Sequence, residues 1–364
     1  MIGVYISIPF CSQKCTYCNF ASGVFPAGLL DQYLEALEAE MASESWSQTP
    51  DTLYLGGGTP SLLDGRALER LLGRLPHAGW MEATLEAAPG TITPERVSSW
   101  QRLGFDRASL GVQSFVDREL RATGRRHSAA EVAAEVDLLR RQGIQKINID
   151  LIAGLPYQTP QSWRASLEWI ERLAPPHVSV YMLEIDQDSR LGREKQAGGA
   201  RYGAPVTPSE DETADLYLEA VDRLERLGLA RYEISNFARP GFESLHNLKY
   251  WRLEPYRGFG ADAHSYDGSR RRANVETAAE YVERHRAGRS PLAEIETSKP
   301  AEERFFLGLR QTAGIEPGPD EWERHREPIQ RLSQEGLLER DGPRLRLTGR
   351  GVLLSNLVFE EFLA

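Results

Sequence analysis

Residues 5–20 of the chain, YISIPFCSQKCTYCNF, decide the fold because a strand, a loop and a set of metal ligands meet there. The apolar run of β-branched and aromatic residues that ends before Pro9 is typical of a buried strand. Cys11, Cys15 and Cys18 follow in C-x3-C-x2-C spacing, and the 364 residues contain no other cysteine. Thiolates are the usual ligands of iron–sulfur clusters, so the loop predicts three ligands to such a cluster, with one iron left open.

Other interpretations of these cysteines are weaker. Lys14, Thr16 and Asn19 make the loop too polar for a set of free core cysteines. A structural zinc site would need a fourth Cys or His nearby, and the nearest histidine is His77. An odd number of cysteines on one short loop excludes a disulfide framework and indicates a reducing compartment.

Composition limits the class of protein. The chain has 53 Asp and Glu against 43 Lys and Arg, a formal charge of −10, which argues against nucleic acid held by bulk charge. Hydrophobic residues make up 41%, an ordinary globular value. There is no apolar run of about 18 residues and no signal-peptide pattern at the amino terminus. We therefore expect a cytoplasmic protein without a membrane span; a homodimer stays open.

Strands and helices alternate over the first two thirds of the chain. This alternation, with short connections, indicates a parallel sheet, open or closed, in an α/β fold. Polar and glycine-rich residues come directly after the predicted strands. Because the carboxyl ends of parallel strands share one edge, we expect these segments to form one mouth: residues 7–18, 56–61, 86–90, 113 and 150–156.

The regular alternation of strands and helices ends after about residue 240. Residues 241–300 are predicted to be a loop-rich connection, in which Arg270–Arg271–Arg272 is interpreted as a solvated charged turn. Residues 301–364 are predicted to form a smaller α+β unit with a hairpin around Asp341–Gly342–Pro343 between helices, the winged-helix pattern. Residues 1–240 would be the core. The acidic balance disfavours a nucleic-acid role for the terminal unit.

The cysteine spacing, with Tyr17 before the last cysteine, resembles that of the radical SAM superfamily. Residues 56–60, GGGTP, follow the second predicted strand and match the partner motif of that superfamily. The resemblance implies a partial (β/α)6 barrel that holds a [4Fe-4S] cluster. It also implies that the open iron binds the amino and carboxylate groups of S-adenosylmethionine (SAM).

Within the superfamily, the chain resembles the HemN/HemW group, the oxygen-independent coproporphyrinogen III oxidases and their heme-binding relatives. The matching segments include EAAPG, SLGVQSF, NIDLIAGLP, YEISNFARPG and GFGADAHSY, so they cover nearly the whole chain. Ala88 in EAAPG departs from the Asn usual in the group. Carried over motif by motif, the implied SAM contacts are Tyr5, Tyr17, Gly57, Gly58, Thr59, Glu86, Gln113, Arg125 and Asp150.

Two features favour the heme-binding branch of the group. The oxidase motif has a fourth cysteine where this chain has Phe20. Residues 246–251, HNLKYW, match an HNxxYW motif associated with heme, which makes His246 a candidate heme ligand and His264 a second one. A hydrogen-bonded core histidine is the alternative at each position. The resemblance implies a heme chaperone that delivers heme to apo-hemoproteins; an oxidase or another enzyme that cleaves SAM is the alternative.

Overall fold

The computed structural model describes residues 2–26, 28–76 and 79–363, so His77 lies outside the described residues. Within these ranges, twelve strands form one mixed sheet in the order β12-β11-β10-β9-β1-β2-β3-β4-β5-β6-β8-β7. Its centre is six consecutive parallel strands, each joined to the next through at least one helix, as predicted. They are β1 Ile2–Ile8, β2 Pro50–Gly57, β3 Glu82–Ala87, β4 Arg107–Gln113, β5 Lys146–Ala153 and β6 His177–Met182.

The parallel core is extended at both edges instead of closing on itself. On one side β1 pairs in parallel with β9, Tyr256–Phe259. On the other, β6 pairs antiparallel with β8, Asn236–Ala238, and β8 pairs with the two-residue β7, Ala230–Arg231. The predicted α/β class with a parallel sheet is confirmed, and the barrel is an open one.

Helices cover the outer face of the sheet, and several begin at a side-chain cap. Ser128, Thr159 and Ser209 each cap a helix through a capping box, which satisfies free amide groups of the first turn. The helices before the end of the sheet are α1 Leu29–Ser43, α2 Gly65–Leu72, α3 Pro94–Arg102, α4 Asp117–Ala122, α5 Ala129–Arg141, α6 Pro160–Leu173, α7 Arg190–Gln196, α8 Glu210–Arg226, α9 Leu245–Trp251 and α10 Ala278–Arg286. Short 3₁₀ segments span Pro60–Leu62 and Arg201–Val206.

The two faces of the sheet differ in polarity. Alternate residues of a strand point to opposite faces, and one set is apolar and belongs to the hydrophobic core, as Ala83 and Leu85 do in β3. The other set is polar and lines the inside of the open barrel, as Thr84 and Glu86 do. The barrel interior is therefore hydrophilic.

Residues 241–300 contribute more regular structure than the sequence predicted. They contain helices α9 and α10 together with β9 and three further strands, β10 His264–Tyr266, β11 Arg270–Asn274 and β12 Leu292–Thr297. The interpretation of Arg270–Arg271–Arg272 as a turn is wrong, because all three lie in β11. Arg271 Nη2 forms a 2.5 Å ion pair with Glu303 Oε2. The guanidinium carbon of Arg271 also lies 4.7 Å from the centre of the Tyr266 ring. These partners compensate the charge and let the strand form.

The carboxyl-terminal part is a small bundle with a hairpin, as predicted. Its elements are α11 Pro300–Gly308, α12 Pro319–Arg324, α13 Arg326–Gln334, β13 Leu338–Asp341, β14 Arg344–Leu347, α14 Gly349–Leu353 and α15 Ser355–Glu360. Phe305 and Phe362 stack in its core. It contacts the barrel where Arg310 lies 4.8 Å from the ring of Trp251 in α9. Among the described residues, no helix is long and apolar enough to cross a membrane.

Candidate functional site

The cysteine loop lies at the carboxyl end of β1 and is closed by backbone hydrogen bonds. The amide of Gly23 donates to Pro9 O, and the amide of Cys11 donates to Gly23 O, both at 2.9 Å. All three cysteines are free and partly exposed. Burial raises the pKa of Cys11, and the other two thiols are close enough to interact with it electrostatically.

The three thiols of this loop are the donor set that iron–sulfur clusters use. In the part of the chain that the structure describes, no three His, Cys, Asp or Glu side chains converge tightly enough to hold one metal ion. A cluster binds each thiolate to a different iron, so its three ligands need not converge on one point. Thr59 and Ser22 reach the thiol of Cys11 with hydrogen-bonding side chains.

The glycines at the end of β2 and directly after it pack close to β1 and the cysteine loop. A Cβ at Gly58 would lie 2.7 Å from Ile8 O and 2.9 Å from Phe10 N, and the amide of Thr59 donates to Phe10 O at 2.9 Å. Gly57 has φ of +95°, a conformation that other residues rarely adopt. Only glycine therefore lets the two loops approach so closely.

Two carboxylates stand on β3 and β5: Glu86 is the last residue but one of β3, and Asp150 lies three residues before the end of β5. Tyr54 OH donates to Glu86 Oε1 at 2.9 Å, and Tyr54 in turn stacks on Tyr5. Burial, and then the nearby Asp150, raise the pKa of Glu86 to about 7. Burial likewise raises the pKa of Asp150, which accepts a 2.7 Å hydrogen bond from Asn148 Nδ2. Both side chains are half-buried and can be reached from the mouth.

Buried polar atoms without partners face the same mouth. Arg125 Nη1 donates to Gly111 O at 2.6 Å, but Arg125 Nε is buried without a partner among the described residues. Gln113 Oε1 is likewise unpartnered, and Gln113 has φ of +70°. Arg125 also lies close to Tyr17 of the cysteine loop. Arg125 Nε is a free donor on a cation and matches the carboxylate of SAM. Gln113 Oε1 is a free acceptor and matches a hydroxyl or the amine of SAM.

The mouth thus gathers the nine residues expected to contact SAM. Seven of them lie in the segments that the order of the strands predicted, and Tyr5 and Arg125 lie beside them. A small polar chamber of about 40 Å³ continues below Glu86 and Asp150, which is room for a few water molecules. The side chains of the chamber were not predicted from the sequence, although the polar residues that alternate within the strands were an available signal. Its lining includes Tyr54, Thr84, Arg107, Ser109, Asn148, His177, Ser179 and Asn236.

The loop of EAAPG keeps its shape without the Asn usual at position 88. The amide of Ala88 donates to Ser61 Oγ at 3.3 Å, and its carbonyl accepts from Thr91 Oγ1 at 2.6 Å. Ser61 and Thr91 also hydrogen-bond each other. The departure removes one side chain but leaves the loop closed.

His246 lies at the opposite end of the barrel from the mouth and is fully buried. Its Nδ1 hydrogen-bonds Thr52 Oγ1 at 2.9 Å, and its Nε2 hydrogen-bonds Tyr250 OH at 2.8 Å. Burial lowers the pKa of His246 to about 3, so the ring is neutral. A neutral imidazole has one lone pair, and here a hydroxyl uses it. In this conformation the geometry fits the hydrogen-bonded core histidine, the alternative that the sequence left open, and offers no nitrogen to heme iron.

His264 is placed differently. It is exposed at the start of β10, on the mouth side of the sheet, and its ring nitrogens make no hydrogen bond within the described ranges. Asp262 lies near both His264 and Tyr5. Of the two candidate heme ligands, His264 is the one that a ligand at the mouth can reach.

Comparison with known proteins places this site in a family. Residues 5–170 match the radical SAM superfamily, and residues 298–354 match the HemN C-terminal domain. A protein named heme chaperone HemW from Lactococcus lactis subsp. lactis (strain IL1403) is 36% identical, over 99% of this chain and 96% of its own length. The heme chaperone HemW of Bacillus subtilis (strain 168) is 34% identical over 100% and 99%. The chain belongs to the HemW family.

A solved structure agrees with this assignment at the level of the fold. Coproporphyrinogen III oxidase (HemN) from Escherichia coli, a radical SAM enzyme, superposes with a TM-score of 0.86 at 23% identity, covering 99% of this chain and 89% of that one. The predicted partial radical SAM barrel with a smaller C-terminal domain is therefore confirmed. The likeness to HemN at 23% identity shows the fold and does not distinguish the activities.

Proposed function

We propose that this protein is a heme chaperone that binds a [4Fe-4S] cluster, SAM and heme, and transfers heme to apo-hemoproteins. The observation that carries the proposal is the match along almost the full length to relatives named heme chaperone HemW. Phe20 supports it. This side chain is 67% exposed beside the cysteine loop, at the position where the oxidase motif has its fourth thiol.

The residues at the mouth suit the parts of SAM. Cys11, Cys15 and Cys18 would hold the cluster, which when bound supplies an electron and an open iron for the amino and carboxylate groups of SAM. Gly57 and Gly58 let the backbone come close to the methionyl end, and the unpartnered Arg125 Nε can pair with its carboxylate. Glu86 and Asp150 can accept from ribose hydroxyls, Thr59 and Gln113 add polar contacts, and Tyr5 and Tyr17 provide ring surface.

Heme ligation by His264 is the arrangement that this conformation favours. The loop before His264 is fixed by buried contacts, because Gly260 N donates to Glu40 Oε2 at 2.8 Å and Ala261 N donates to Tyr33 OH at 2.8 Å. A rigid loop holds the imidazole at the mouth at little entropic cost. Ligation by His246 would require the loss of both of its ring hydrogen bonds and the movement of α9.

The test is anaerobic reconstitution of the cluster followed by heme titration. We expect heme to bind with a histidine-type absorption spectrum that is lost in His264→Ala and kept in His285→Ala, an exposed histidine on α10. His246→Ala measures the alternative ligand. Loss of the spectrum in His246→Ala alone would refute ligation by His264 and assign the ligand to α9.

A second measurement distinguishes the chaperone from the oxidase. The holo-protein is incubated with SAM and a reductant, once with coproporphyrinogen III and once with heme and an apo-cytochrome. We expect heme transfer without decarboxylation. Formation of protoporphyrinogen from coproporphyrinogen III would overturn the proposal.

The cellular setting follows from the same chemistry. Free thiols that must ligate iron need a reducing compartment, so we place the protein in the cytoplasm. Subcellular fractionation tests this location, and sedimentation with and without heme tests for a homodimer. We assign no role in nucleic-acid binding to the C-terminal bundle, since the chain is acidic overall.

A further inference from the structure

A continuous chain of buried and part-buried hydrogen bonds runs beneath the candidate SAM site. The amide of Ser244, at the start of α9, donates to Tyr232 OH at 3.2 Å, and Tyr232 OH lies 2.8 Å from His177 Nε2. His177 Nδ1 lies 2.6 Å from Asn148 Oδ1, and Asn148 Nδ2 donates to Asp150 Oδ1 at 2.7 Å. We call these five residues the Asp150 relay. It spans the barrel interior from α9 to the mouth.

The donor and the acceptor of each hydrogen bond in the relay can be assigned. Asn148 Oδ1 can only accept, so His177 Nδ1 carries the proton and His177 Nε2 accepts from Tyr232 OH. The buried His177 is neutral, since burial and Arg107 lower its pKa well below the usual range. The amide of Asn148 is then oriented with its NH₂ group toward Asp150. One carboxylate oxygen of Asp150 is engaged from below by this bond.

We propose that His177 and Tyr232 are positioning residues that orient Asp150, through Asn148, to accept a ribose hydroxyl of SAM. This inference rests on the proposed binding of SAM at the mouth. It gives the start of α9, and with it the HNLKYW segment, a link to the cofactor that is independent of heme ligation.

The position of Asp150 along the sheet points to the ribose. The cysteine loop follows β1 and the glycines follow β2, so the methionyl end of SAM lies over these strands. Asp150 stands on β5, three strands further along the sheet, and neighbouring strands are about 4.8 Å apart. The nucleoside half of the molecule is the part that reaches that far.

The test compares three probes on the reconstituted protein by anaerobic calorimetry. SAM contains both halves, 5′-methylthioadenosine carries the ribose without the amino and carboxylate groups, and L-methionine has no ribose. Tyr232→Phe deletes one hydroxyl of the relay. We expect it to weaken SAM and 5′-methylthioadenosine about threefold to tenfold, the effect of about one hydrogen bond, and to leave methionine unchanged.

Three further variants keep the result interpretable. His177→Leu removes the donor to Asn148, whereas His177→Asn keeps a short amide donor there, so we expect the Asn variant to bind SAM more tightly than the Leu variant. Tyr217→Phe is the control, because it also deletes one tyrosine hydroxyl inside the fold, and that hydroxyl donates to Ile234 O outside the relay; Tyr217 is fully buried and Tyr232 half-buried. We expect this control to bind all three probes like the wild type.

Each other outcome counts against the proposal. Equal weakening of all three probes in Tyr232→Phe would show a general structural role and overturn the inference, as would unchanged binding of SAM in both Tyr232→Phe and His177→Leu. A wild-type protein that carries its cluster but binds no SAM would refute the proposed function and the inference together.

Discussion

The buried ion pair between Arg107 and Glu82 holds α9 against the barrel, and its loss gives a quantitative prediction for the free energy of unfolding. Arg107 Nε donates to Glu82 Oε2 at 2.9 Å, and the two side chains are 2% and 1% exposed. Glu82 Oε1 also accepts from Ser244 Oγ at 3.2 Å and from the amide of His246 at 3.1 Å. The first turn of α9 is thus held by a carboxylate on β3.

Replacing Arg107 by Met removes the positive charge and keeps most of the volume. It leaves the Glu82 carboxylate buried without its cation, and removes the bonds from Arg107 Nη2 to Phe242 O at 2.6 Å and Glu243 O at 3.1 Å. Removing one partner of a buried pair costs about 3–5 kcal/mol. We expect Arg107→Met to lower the free energy of unfolding by about that amount.

The assay is equilibrium unfolding in urea followed by circular dichroism. Arg141→Met is the control, because the pair between Arg141 and Asp137 is 68% and 67% exposed and should contribute under about 0.5 kcal/mol. The double variant Arg107→Met with Glu82→Gln should recover much of the loss, since no unpaired charge then stays buried.

The reasoning would be refuted if Arg107→Met cost no more than Arg141→Met. It would also fail if the double variant were less stable than Arg107→Met alone, because the loss would then come from packing and not from the stranded charge of Glu82.

Further predictions concern the mouth and the contact between the barrel and the C-terminal bundle. The pKa of Glu86 is raised from 4.5 to about 7, so between these values the folded protein binds a proton that the unfolded chain has lost. The free energy of unfolding therefore falls as the pH rises through this window. Glu86→Gln should reduce the difference between urea unfolding at about pH 5 and at about pH 8, and an unchanged difference would contradict the prediction. Gly58→Ala forces a Cβ to within 2.7 Å of Ile8 O, so we expect less iron per protein after reconstitution than in Gly349→Ala, where the Cβ meets nothing within 4 Å and φ is not positive. Trp251→Ala removes the ring beneath Arg310 and should destabilise the protein by about 2 kcal/mol; unfolding that matches the wild type would show that this contact contributes nothing.

Local patterns in the sequence predicted the parts of the protein that local physics decides. Alternating apolar segments gave the six parallel strands and their helices, because periodicity within one element is enough to show which side is buried. The turn residues at Gly342 and Pro343 gave the terminal hairpin. The order of strands then predicted one mouth, since the carboxyl ends of parallel strands meet at one edge.

Local patterns failed where a distant partner changes the cost of burial. β11 was interpreted as a turn because three arginines in a row suit water, and only Glu303 and Tyr266 show that one of them is compensated. The polar residues inside the strands were likewise not assigned to a chamber, because one strand does not show what its inner face meets.

The sequence by itself predicted the cysteine loop, the alternation of strands and helices and the family to which the chain belongs. Only the tertiary structure decided what the histidines do. His246 is satisfied by Thr52, which is 194 residues away in the chain, while His264 is left exposed at the mouth and His177 is engaged in the Asp150 relay. The physical reason is that a histidine's available lone pair depends on neighbours in space, and a motif of adjacent residues does not specify them.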